Sequence, residues 1–88
     1  MTHELSLLTD LMRKIQTVSH EHGDKPVVGV TLKLGALAHI SPDHLREHFE
    51  RAAQGTRAAG SCLTIHPVSD PQDPHAQDIM LESLELAD

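Results

Sequence analysis

The residues best equipped for chemistry in this chain are its histidines. There are 8, at positions 3, 20, 22, 39, 44, 48, 66 and 75, against 7 lysines and arginines together. Neutral imidazole is a ligand for borderline divalent cations. His3, in the opening MTHELSLLTD, has an option closed to an interior histidine. A terminal amine, the next one or two backbone amides and an imidazole close five- and six-membered chelate rings around a square-planar ion. All-nitrogen square-planar sites favour Ni(II) or Cu(II). With Met1 retained, histidine is third. With Met1 removed, as is general before a small residue such as Thr2, the terminus reads Thr2-His3-Glu4 and histidine is second. Either arrangement can chelate. The first amides of a helix have no intrahelical acceptor, so those of His3 and Glu4 can lose a proton to a metal without breaking a helical turn. The helix dipole opposes a cation there by ~0.3–1 kcal/mol, and Glu4 offsets part of that. The plainer reading of a histidine so placed is a solvated side chain, and position alone does not decide between the two.

His44 and His48 lie four residues apart in SPDHLREHFERAAQG, a spacing that puts two rings on one face of a helix. Two histidines are half a metal site, or a pair flanking a buried stripe. His20 and His22 fall where a helix should end, where a cationic ring complements the dipole. His39, His66 and His75 read as surface residues. Cys62 is the single cysteine, which excludes an internal disulfide and an intrachain cysteine zinc site. Its position in the strand pattern turns it away from Leu63 and Ile65. No phosphate loop, no nucleophile beside a base and no carboxylate pair of defined geometry is present. The chain reads as a non-enzyme.

These residues need elements to carry them. Leu5, Leu8, Leu11, Met12, Ile15 and Val18 recur at threes and fours and predict an amphipathic helix. Gly23 and Pro26 stop it. In PVVGVTLKLG, Val28, Val30, Leu32 and Leu34 alternate with Gly29, Thr31 and Lys33, the pattern of a strand with one buried face. A second helix is punctuated by Ser41 as N-cap, Pro42 in the first turn, Asp43 toward the dipole and Gly55 at its end. Leu45, Phe49, Ala52 and Ala53 form its buried stripe. SCLTIHPV is a second strand, and the prolines of SDPQDPHAQD break the pattern after it. In the closing strand Ile79 and Leu81 share one parity and Leu84 and Leu86 the other, which predicts a bulge near Ser83. The order helix-strand-helix-strand-strand predicts an α+β fold, with two helices on one face of a three-stranded, mostly antiparallel sheet. Val27, Thr31, Cys62 and Thr64 are expected on the other face. Eighty-eight residues make one domain, 1–88. Thirteen acidic residues give a net charge of −6, which disfavours nucleic acid. No apolar run approaches the ~20 residues of a membrane span, and no signal-peptide pattern opens the chain. A cytoplasmic, membrane-free protein is expected.

Four blocks, MTHELSL, GALAHISPDHL, QGTRAAGSCLTI and SLELAD, resemble in order and spacing the HypA/HybF family of nickel metallochaperones. That family opens Met-His-Glu-Leu-Ser. It then carries a Gly-x-Leu-x-x-Val/Ile-x-Pro segment, a helix ending in Gly-Thr and a final Leu/Ile-Glu strand. The resemblance implies a nickel-binding accessory protein that inserts Ni(II) during [NiFe]-hydrogenase maturation. It would deliver the ion to the large-subunit precursor beside the maturation GTPase of the same pathway. It also implies that the histidine after the initiator methionine is the nickel ligand. Thr2 intervenes here, and loss of Met1 would restore that position to His3. The metal residues expected are therefore His3, Glu4 and Thr2, with His44 and His48 as a secondary pair. The family carries a zinc domain with two Cys-x-x-Cys pairs between its last two strands. Here the short loop 69–78 stands in that place, so no zinc is expected. The family also has an aromatic where this chain has Glu47. The rival expectation is a HypA-like scaffold or interaction subunit of a hydrogenase-related complex that has lost metal delivery.

Overall fold

In the computed structural model, which describes the backbone of residues 3–87 and the side chains of 8–87, the 3.6-residue pattern at the start of the chain forms helix α1 (His3–Glu21). Leu8, Leu11, Met12 and Ile15 line its buried face. Gly23 (φ 83°) and Asp24 (φ 58°) both turn left-handed to end it, and the Asp24 N–H returns to the Ser19 carbonyl at 2.9 Å. Strand β1 (Val27–Leu34) follows, then helix α2 (Pro42–Ala53), strand β2 (Cys62–Pro67) and strand β3 (Ile79–Leu86).

The sheet order is β2-β1-β3. α2 carries the chain over to a β2 that runs parallel to β1, and β3 pairs antiparallel on the other side of β1. α1 packs over β3 and against α2, and α2 packs over β2. This is the expected α+β layering, with one parallel and one antiparallel ladder. Phe49, Ile15, Leu32, Leu45 and Val30 are the largest fully buried side chains. Burial of each such side chain stabilises the fold by ~1.5–3 kcal/mol relative to exposure. No helix is long and apolar enough to cross a membrane among the described residues.

Both bulges in the sheet decide which side chains reach that core. On β3, Ser83 faces Thr31 while Leu81 faces Leu32, so Glu82 is the extra residue and the bulge lies where the parity switch places it. Ile79, Leu81, Leu84 and Leu86 thereby all reach the helical side. On β1 the strict alternation fails at its start. Val27 pairs with Leu86 and Gly29 with Glu85, which leaves Val28 unpaired. As a result Val28 is 47% exposed and Val27 only 3%, the reverse of the alternating expectation. Ala52 is also exposed rather than part of the α2 stripe, since Leu45, Phe49 and Ala53 fill that face.

Loop 69–78 is docked rather than free. The Gly35 N–H donates to Asp78 O at 3.0 Å and the Leu37 N–H to Ala76 O at 2.7 Å. Gly35 is obligatory there, because a Cβ would collide with the carbonyl of Ala76 and meet His75 O at 2.6 Å.

Candidate metal centre

His3 is the first residue of α1, so its amide and that of Glu4 belong to the turn in which backbone donors find no intrahelical acceptor. The side chains of His3 and Glu4, and the whole of Thr2, lie outside the described residues.

On α2 the sequence pair becomes a contact. Ser41 caps the helix by accepting the His44 N–H on its hydroxyl at 3.1 Å, and Leu45 and Phe49, each 1% exposed, clamp the helix to the core. The residue preceding each clamp is a histidine. Nε2 of His44 and Nε2 of His48 stand 2.8 Å apart, with ring centroids 4.4 Å apart and planes inclined at 50°. Among the described residues no group of three or more His, Cys, Asp or Glu side chains gathers into a metal-holding cluster.

Four of the remaining histidines, His20, His22, His66 and His75, have structural partners. His20 Nδ1 lies 2.9 Å from Asp24 Oδ1. His22 Nδ1 lies 2.8 Å from the carbonyl of Val18, one of the acceptors a helix C-terminus leaves unsatisfied. His66 on β2 reaches Glu82 of β3 at 3.2 Å, above the outer face of β1. His75 pairs with Asp78 at 3.0 Å. His39 is exposed and left-handed (φ 59°). Cys62 is exposed on the outer face, as its parity implies.

A polar staple at the end of α1 escaped the sequence reading. Ser19 is fully buried; its hydroxyl donates to Lys25 O at 2.7 Å and accepts from Arg57 Nε at 2.8 Å. Arg57 also reaches Asp24 at 3.3 Å. The hydrogen bond with His20, helped by the charges of Arg57 and His20, holds the Asp24 carboxyl below its ordinary value against a smaller opposing effect of desolvation. The four-residue spacing of His20 and Asp24 was a usable signal for half of this staple. Nothing local marks Arg57, 38 residues from Ser19, as the other half.

Residues 1–71 match the family model described as hydrogenase/urease nickel incorporation metallochaperone, hypA. The chain is 43% identical over 63 residues to the hydrogenase maturation factor HypA of Acidithiobacillus ferrooxidans, covering 72% of this chain and 56% of that protein. It is 41% identical over 63 residues to HybF of Salmonella typhimurium, with the same 72% and 56% coverage. It is 33% identical over 87 residues to HypA of Desulfitobacterium hafniense, 97% of this chain and 76% of that one. Against the first of these the chain spans about half of the relative's length.

Proposed function

Because the chain belongs to the HypA family of nickel-incorporation metallochaperones, we propose that it carries Ni(II) as cargo for insertion into a [NiFe]-hydrogenase during maturation. The recipient is the large-subunit precursor, and the maturation GTPase of the same pathway is the partner in transfer. The protein acts in the cytoplasm, binds and releases without catalysing a reaction, and needs no zinc.

The observation that carries this reading is the position of His3 at the head of α1, in a chain of that family. His3 supplies the imidazole. With Met1 removed, the Thr2 amine and the deprotonated amides of His3 and Glu4 complete the square; with Met1 retained, the Met1 amine and the amides of Thr2 and His3 do so. The Glu4 carboxylate balances charge against the helix dipole. Four nitrogens in a plane select Ni(II) and Cu(II) over ions that prefer oxygen.

The test is nickel titration of the native chain, of His3→Ala and of a chain with a tag fused before Met1. The expected result is one square-planar, diamagnetic Ni(II) per native chain, lost in both altered proteins. A tagged chain that keeps that spectrum would place the ion elsewhere. A native chain that holds no square-planar nickel yet still associates with the hydrogenase precursor would favour the scaffold role.

A further inference from the structure

The contact between His44 and His48 is a 2.8 Å hydrogen bond between two Nε2 atoms, and it also sets the two imidazoles at the spacing of a pair of ligands on one ion. Two imidazole nitrogens in cis positions of an octahedral ion, each ~2.0–2.1 Å from it, stand roughly 2.8–3.0 Å apart, and their ring centroids about 4.5 Å apart. The observed separations are 2.8 Å and 4.4 Å. The two Nε2 atoms are therefore close enough to share one ion, which would take the place of the proton that bridges them in its absence.

The pair is held from below. The Ser41 cap fixes the first turn of α2 at His44, and buried Leu45 and Phe49 set the helix rotation, so both rings project from a rigid surface. Little ordering remains for an ion to impose. We propose that His44 and His48 form a second, solvent-open cation site on α2, a two-imidazole chelate for a borderline divalent d-block ion such as Ni(II) or Zn(II). Imidazole suits these ions, whereas Ca(II) and Mg(II) require oxygen. Glu47, the nearest acidic residue between the two, is turned to Arg51 at 3.3 Å. Water completes the coordination sphere, and the ion is held in an exchangeable state. The site does not depend on the amino-terminal reading.

The test separates the two. In full-length His3→Ala, which lacks the terminal imidazole, calorimetry with Ni(II) and with Zn(II) should still show one ion per chain. His44→Ala or His48→Ala in that background should each weaken binding at least tenfold, with an unchanged circular dichroism spectrum showing that α2 is intact. The nickel signature also differs. An ion held by two imidazoles and water is octahedral and paramagnetic, so amide resonances around residues 44–48 should broaden, while a square-planar terminal chelate broadens none. Broadening centred on His20, His66 or His75 instead, or unaltered affinity in the two alanine variants, would overturn the site. So would His3→Ala protein that binds neither ion.

Discussion

At the scale of single residues, the proposed terminal chelate makes a proton-linked prediction. Its ligands are an amine with a reference pKa of about 7.7–8, an imidazole near 6.5, and backbone amides that must be deprotonated. Every one of them loses a proton to bind, so nickel affinity should fall steeply between about pH 7.5 and 6, with more than one proton released per ion. Calorimetry in two buffers of different ionisation enthalpy measures that number. A flat profile without proton release would rule out this donor set, because carboxylates are already ionised across the window. A second residue-scale expectation concerns Gly35. Its missing Cβ lets the carbonyls of His75 and Ala76 come against the end of β1. Gly35→Ala must push backbone aside, which should destabilise the fold by about 1–3 kcal/mol, read as a lower urea midpoint. An unchanged midpoint would mean that loop 69–78 gives way freely.

At the scale of elements, α2 is the part most open to a local test. Its cap is a single hydroxyl, Ser41, on the His44 N–H. Ser41→Ala should cost about 1 kcal/mol, which lowers Tm by roughly 4–8 °C in a domain of this size. The same change should loosen the turn that positions His44, so a Tm that does not move would count against that turn as the anchor of the ring pair. The elements themselves were legible in the residues, because helix and strand periods, the cap and the glycine stops are local signals. The β3 bulge was legible as well, since Ile79 and Leu84 cannot share a core face without an extra residue between them. The bulge at Val28 was not. Local alternation runs unbroken from Val28 through Val30, Leu32 and Leu34, and only the pairing of Val27 with Leu86 puts Val27 in the buried place instead. The parallel run of β2 beside β1 was equally a matter of tertiary placement. Of the candidate site, spacing brought out the His44–His48 pair, and the resemblance brought out His3. The close approach of the two rings, the Arg57–Ser19–Asp24 staple and the His66–Glu82 bridge are contacts between residues that local pattern cannot pair.

At the scale of the whole molecule, two aspartates tie the connecting segments to the body. Asp24 joins the end of α1 to Arg57, between α2 and β2. Asp73 joins loop 69–78 to Lys33 on β1 at 3.4 Å. Both carboxyls are held below their ordinary value of 3.8, Asp24 chiefly by its hydrogen bond with His20 and Asp73 chiefly by the backbone N–H of His75, with Lys33 assisting. The sign follows from linkage. A carboxyl whose pKa is lower in the folded than in the unfolded chain binds fewer protons when folded. Its contribution is therefore fully present above the unfolded value, near 3.9, and is lost as pH falls through the lower folded value. The urea midpoint should accordingly hold steady, as far as these two groups are concerned, from neutral pH down to about pH 4 and decline below it. Both side chains are reached by solvent, so each tie is modest and weakened by salt. Asp24→Asn and Asp73→Asn remove the titration while nearly keeping the shape. Each variant should be less stable than the parent at pH 7 and should lose less stability on acidification, the two curves drawing together near pH 3. If Asp24→Asn and the parent declined in parallel below pH 4, the staple at the end of α1 would not be a source of the acid sensitivity.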